Sequence, residues 1–290
     1  MKLQSRPKHT WNVERELGHM GGGMNGGIRI VRRSTDRTKA VEKRFTSKDI
    51  DRHVAKSEIR ALLRLGGHPN ITTMVDYYVS GTLRRGSVFL EYYNKGSLED
   101  MIGEKNNGYN VPISERNIWR WFTQLAEALA FCHFGPPPYD GRDRSSWKFI
   151  WHRDIKPANV LLNKVQVSAD EWDHNAVLAD FGCSISKDRL SYKMGPLEQT
   201  AFTLGFCPPE APHYCSRSDV FQLGVVITCI CNLSLAWWGT HGPAPAPRYS
   251  RKLNEMIMLC RRTSPANRPQ SWQLVQVLNH EYALIQSSLP

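Results

Sequence analysis

The sequence predicts an α+β fold in two lobes. A small β-rich N-lobe, about residues 1–92, carries one helix; a hinge near 91–96 leads to a larger helical C-lobe, about 97–290. Three observations predict it. The first third holds short β-rich runs broken by polar turns, the remainder holds helical spacings, and 290 residues at 41% hydrophobic content suffice for one large core or two modest ones.

Taken in order, Ile28 to Arg32 and Lys39 to Phe45 are β-rich runs joined by the polar turn Ser34-Thr35-Asp36. Lys48 to Leu65 has helical periodicity and stops at Gly66-Gly67, just before Pro69. Ser87 to Tyr93 is a further strand, ending in Asn94-Lys95-Gly96-Ser97. Beyond it the spacing predicts helices over Ser114–His133, Asp219–Cys231, Arg251–Cys260 and Ser271–Leu284. Gly135 to Trp147, with three consecutive prolines, and the polar stretch Ser168 to Asn175 are expected as loops or insertions. There is no internal repeat.

Lys and Arg number 38 against 27 Asp and Glu, a formal net charge of +11, with much of the excess before residue 65. Such a surface attracts phosphates, nucleic acid or acidic proteins. With no nucleic-acid motif present, it reads as a solvated face beside a nucleotide site. Basic residues also recur at every fourth position through Lys48, Arg52, Lys56, Arg60 and Arg64. They suit either a solvated helix face or an acidic partner. The seven cysteines form no CxxC pair; Cys229 and Cys231 read as core thiols, and Cys132 beside His133 is a poor metal site. Met1 to Thr10 lacks the apolar core of a signal peptide, and the longest apolar run, Leu223 to Leu235, is too short to span a bilayer. The expectation is a reduced, soluble protein of the cytoplasm or nucleus, with no membrane and no nucleic-acid partner.

The chemistry begins at Gly21-Gly22-Gly23-Met24-Asn25-Gly26, a GxGxxG pattern at Gly21, Gly23 and Gly26, with apolar Ile28 two places on. Glycines there let backbone N–H groups approach phosphate oxygens. Seventeen residues downstream, Lys43 shares a strand face with Val41 and Phe45. A lysine on an apolar face needs a partner. Two are available: a nucleotide phosphate chain, or Glu58, which shares a helix face with Val54 and Leu62.

The most specific string is His152-Arg153-Asp154-Ile155-Lys156-Pro157-Ala158-Asn159, followed through the apolar run Ala176 to Ala179 by Asp180-Phe181-Gly182. With the glycine loop, Lys43, Glu58, a Pro208-Pro209-Glu210 string and Arg268 in that order, nearly the whole chain resembles the eukaryotic protein kinase superfamily. Lys156 and Thr203, seven residues before Glu210, resemble its Ser/Thr branch. The run Ala128 to His133 and the insertion after it resemble NIMA-related kinases.

The resemblance implies the two-lobed kinase fold, with the N-lobe helix regulatory, and transfer of the γ-phosphoryl group of ATP to Ser or Thr of a protein substrate. Phosphoryl transfer asks for alignment and charge neutralisation more than covalent help. Asp154 would be the catalytic base and Lys156 would steady the moving phosphoryl group. Thr203 would close onto both, Lys43, paired with Glu58, would hold the phosphates, and Asn159 and Asp180 would bind Mg2+. Around the adenine, Ile28, Val41 and Leu161 would be apolar walls, Leu90 the gatekeeper, and the backbone of Glu91 and Tyr93 would meet the base edge. Glu210 would pair with Arg268, and Asp219 would hold the catalytic-loop backbone, serve as a plain helix N-cap, or do both at once. Arg153 implies an upstream kinase acting on Thr200, Ser191 or Tyr192, unless Glu198 supplies that charge permanently. Phe202 departs from the family, which usually has Gly there. The rival readings are a pseudokinase-type nucleotide-binding scaffold and a small-molecule phosphotransferase.

Overall fold

A computed structural model describes residues 3–18, 26–107, 111–139, 146–166, 172–186, 203, 205–237 and 244–289. The chain divides into two compact units, Met1–Tyr93 and Asn94–Pro290. Among the described residues no helix is long and apolar enough to cross a membrane.

Unit 1 is a five-stranded antiparallel sheet in the order β1-β2-β3-β5-β4. Its strands are β1 (Trp11–Gly18), β2 (Ile28–Arg33), β3 (Lys39–Phe45), β4 (Met74–Ser80) and β5 (Arg85–Glu91), with helices α1 (Ser47–Asp51) and α2 (Val54–Leu65) between β3 and β4. One sheet face buries Ile30, Phe45 and Val88, and α2 contributes Ala55, Ile59 and Leu62 to the same core. The other face buries Val31, Ala40 and Phe89, against which Trp11, Val75 and Tyr78 pack. The Trp11 ring stacks on Phe89 at 4.9 Å.

That second face is strapped by the chain ahead of β1. Asp76 is 3% exposed, and its carboxylate accepts hydrogen bonds from Gln4 Nε2, the backbone N–H groups of Lys8, His9 and Tyr77, and the Trp11 indole. Burial pushes this carboxyl's pKa up, but these donors outweigh burial and hold it below the usual range. The backbone N–H of Val79 donates to Gln4 O at 2.9 Å, so the strap also bonds the sheet edge at β4.

Unit 2 is helical: α3 (Leu98–Asn107), α4 (Glu115–Phe134), α5 (Ser216–Asn232), α6 (Arg251–Cys260) and α7 (Ser271–Ile285). Two small antiparallel pairs accompany them. β6 (Ile150–Trp151) pairs with β9 (Ile185–Ser186), and β7 (Val160–Gln166) with β8 (Trp172–Leu178). α5 is buried at every position from Ser218 to Cys231, Cys229 and Cys231 included. It packs against α4 and α6, and α4 against α7 and β8.

The structure departs from the sequence reading at several elements. The helix expected over 48–65 is two helices, broken at Arg52 and His53, where His53 takes φ +58. α1 has its own capping box at Thr46 and Asp49. It is tied elsewhere too, through Arg84 paired with Asp51. The strand expected over 87–93 runs Arg85–Glu91. Part of the polar stretch 168–175 is strand: Trp172–Asn175 extend β8, paired with Gln166 to Asn163. That end of the hairpin is fastened to α4, where Trp121 donates to His174 O at 2.7 Å and Gln124 to Asn175 at 2.7 Å. The helix expected from Asp219 begins three residues earlier, so Asp219 lies inside its first turn and the N-cap reading of it is set aside.

Candidate active site

In unit 1, strand register gathers the expected nucleotide residues on one sheet face. Lys43 stands opposite Ile28 of β2 and Val88 of β5; Val41 stands opposite Ile30 and Leu90. Ile28, Val41 and Leu90 are only half-buried, unlike the core residues beside them. Lys43 Nζ lies 2.8 Å from Glu58 Oε1. Glu58 is 2% exposed, on the stripe of α2 that carries Ala55, Ile59 and Leu62. A carboxylate there without a cation would be strongly destabilising.

Gly26 donates to Arg44 O at 2.7 Å and Arg44 to Gly27 O at 3.0 Å, which carries the β2–β3 pairing outward. A Cβ on Gly26 would meet Phe45 O at 3.2 Å, and Gly27 has φ +110, so the backbone there favours glycine twice over. Gly21 and Gly23 lie outside the described residues. At the end of β5 the Glu91 N–H donates to Thr73 O at 2.9 Å. The Tyr93 hydroxyl donates to Glu91 Oε2 at 3.2 Å, and burial, aided by the Glu91 charge, pushes the phenol up to about 12.

In unit 2 the loop after β6 is held by one carboxylate. Asp219, fully buried, accepts from the N–H groups of His152 at 2.8 Å and Arg153 at 2.7 Å, and bonds His133 Nε2 at 2.9 Å. The His152 ring donates through Nε2 to Ala179 O at 3.0 Å and packs edge-on to Phe181. Its Nδ1 accepts the Asp154 N–H at 3.3 Å. Asn159 O accepts the Ala179 N–H at 2.9 Å, so two bonds tie the 152–159 loop to the strand end before Asp180. Arg153 and Asp180 both adopt left-handed backbone, at φ +69 and +61, an uncommon state for residues other than glycine.

Within that frame three side chains meet. Thr203 Oγ1 donates to Asp154 Oδ1 at 2.9 Å and accepts from Lys156 Nζ at 2.6 Å; Lys156 Nζ lies 3.2 Å from Asp154 Oδ2. Asn159 Nδ2 donates to Asp154 O at 2.8 Å and to Asp154 Oδ2 at 3.1 Å. Asp180 Oδ1 accepts the Gly182 N–H at 3.1 Å. Leu161 is half-buried in β7 and bridges to Ser97. Ser191, Tyr192, Thr200 and Phe202 lie outside the described residues, as does Glu198. Arg153, for its part, donates through Nε to Cys183 O at 2.9 Å.

The donors available for magnesium are oxygens. Asn159 commits its amide nitrogen to Asp154, so the atom it keeps for other partners is Oδ1, and Asp180 brings a carboxylate. Among the described residues no group of three or more His, Cys, Asp or Glu is gathered that could hold a metal. Asn159 and Asp180 nonetheless fit magnesium, which is usually bound by one or two carboxylates plus substrate phosphates.

Below the loop, Arg268 makes a two-pronged pair with Glu210 at 2.7 and 2.8 Å, and Glu210 also accepts from Ser218 Oγ at 2.6 Å. Sequence reasoning missed Gln222. It is 2% exposed inside α5, where it accepts from Ile155 N–H at 3.2 Å and donates to Arg153 O at 3.3 Å and Phe206 O at 3.1 Å. The signal was present: an amide in an otherwise apolar helical run requires partners.

The family model described as protein kinase domain matches residues 14–283. The chain is 28% identical to G2-specific protein kinase nimA of Emericella nidulans, over 89% of this chain and 40% of that protein. It is 31% identical to G2-specific protein kinase nim-1 of Neurospora crassa, over 90% of this chain and 32% of that one. Serine/threonine-protein kinase Nek2 of Mus musculus is 28% identical over 75% of this chain and 46% of its own length. The chain thus spans less than half the length of these relatives.

Proposed function

Because the chain belongs to the protein kinase domain family, we propose that it transfers the γ-phosphoryl group of ATP to serine or threonine hydroxyls of protein substrates. The observation that carries this reading is the Asp154–Lys156–Thr203 triangle, with both Asp154 oxygens hydrogen-bonded and its carboxylate only slightly exposed. The acceptor hydroxyl would approach Asp154, which orients it and takes its proton. Lys156 places a cation beside the transferring phosphoryl group, and Thr203 keeps acid and cation in register. Lys43, steadied by Glu58, would neutralise nucleotide phosphates. Ile28, Val41, Leu90 and Leu161 would contact the adenine, with the backbone of Glu91 and Tyr93 at its edge. Asn159 and Asp180 would hold magnesium, whose chemistry when bound is to offset phosphate charge. The similarity to Ser/Thr kinases of the NIMA and Nek type supports the acceptor class.

The test is to incubate the protein with magnesium and labelled ATP against Ser, Thr and Tyr peptides, beside Asp154→Asn. Wild type should label Ser or Thr, and the variant should be slower by roughly 10²–10⁴, about 3–5 kcal/mol of barrier. Equal rates in the two proteins would contradict the role of Asp154. Nucleotide binding with no transfer to any peptide would favour the scaffold reading.

A further inference from the structure

Thr203 reaches Asp154 and Lys156 from a tight turn. The Phe206 N–H donates to Thr203 O at 3.1 Å, and Gly205, third in that turn, takes φ +91. This is the positive angle a type II turn requires at its third residue. The turn is fastened at two further points: Gln222 donates to Phe206 O, and the Trp237 indole N–H donates to Gly205 O.

Trp237, five residues past α5, is itself braced. Its ring meets Phe221 edge-on at 5.8 Å, and the Arg261 guanidinium lies 4.9 Å from its centre. Phe221 in turn carries the Arg268 guanidinium at 4.8 Å, and Arg268 grips Glu210. One run of four side chains, Arg261, Trp237, Phe221 and Arg268, therefore holds the segment 205–210 at both ends. The Glu210 end follows from the sequence motif. The Gly205 end does not, and none of the roles assigned above uses Trp237.

We propose that Trp237 is a positioning residue for acceptor transfer: by fixing Gly205 O it fixes the turn that delivers Thr203 to Asp154 and Lys156. The inference rests on the kinase reading. It concerns transfer to a hydroxyl acceptor and leaves nucleotide binding alone, because Gly205, Phe221 and Arg261, through which Trp237 acts here, have no role assigned in nucleotide binding. Trp237→Phe keeps a ring against Phe221 and under Arg261 but deletes the donor. It should lower kcat for a Ser/Thr peptide about tenfold, the scale of one hydrogen bond. The KM for ATP should stay as in wild type.

Thr203→Ala should lose as much or more, and the double variant should be no slower than Thr203→Ala alone, since both changes break one linkage. Independently of activity, the Phe206 amide should exchange hydrogen faster in Trp237→Phe. Wild-type transfer by Trp237→Phe would overturn the proposal. So would additive losses in the double variant, or a rise in the KM for ATP alongside the loss of transfer, which a merely structural role would give. A wild type that labels no peptide would defeat the kinase reading instead, and Phe206 exchange would then decide whether the indole fixes the turn.

Discussion

Arg268 spends all five of its guanidinium N–H groups: one on Arg262 O, one on Arg217 O, one on Thr263 O and two on Glu210. Burial raises the Glu210 pKa, but the hydrogen bonds from Arg268 and Ser218 outweigh it and hold the carboxyl below its usual range. A carboxylate lowered in this way stabilises the fold above its unfolded-state pKa of about 4.3. That contribution is lost as pH falls through the lower folded value. Glu210→Gln should therefore be less stable than wild type near neutrality by roughly 1.5–3 kcal/mol, and the gap should close below about pH 4. Urea unfolding of both proteins across that range measures it; a constant gap would show that the charge of Glu210 does not matter. Glu210 and Arg268 were legible because each sits in a specific string. Asp76 was not, since a lone acid in a strand reveals nothing of donors more than sixty residues earlier.

Among the elements, those the sequence exposed have unbroken periodicity: α6 runs over the expected 251–260, and α4 and α7 are displaced by a residue or so. Those it hid each break a pattern. β1 is exposed at most positions and so lacks apolar alternation. β4 carries a register shift between Met74 and Asp76 that disrupts its period of two. α3 has Gly103 within it and two asparagines at its end. The α1–α2 break was invisible because Arg52 and His53 suit a helix face and a turn equally. His53 pays there for a left-handed backbone, which disfavours any side chain with a Cβ by about 1–2 kcal/mol. His53→Gly relieves this and in turn loses part of the gain to the freer unfolded chain. It should raise stability by about 0.5–1 kcal/mol in chemical denaturation. A drop would mean that the imidazole makes contacts worth more than the strain.

For the molecule as a whole, the two-lobed kinase fold was readable from the order of its motifs, and the family match bears out that fold class. The placement of stability was less readable. α5 is enclosed from Ser218 to Cys231 and carries both Asp219 and Gln222, which hold the 152–155 backbone. Its amides should therefore be the slowest in unit 2 to exchange hydrogen, opening only with that unit, while those of α3 exchange sooner. Exchange followed by mass spectrometry measures this, and α3 outlasting α5 would refute it. The strap on Asp76 bears on where such a molecule may be cut. Likeness to the family begins at residue 14, and a fragment started there would look complete by any comparison of sequences. It would also leave a buried carboxylate with the Tyr77 N–H as the survivor of its five donors. Ancestry and mechanics thus draw the edge of this domain in different places, and the mechanical edge lies at or before Gln4.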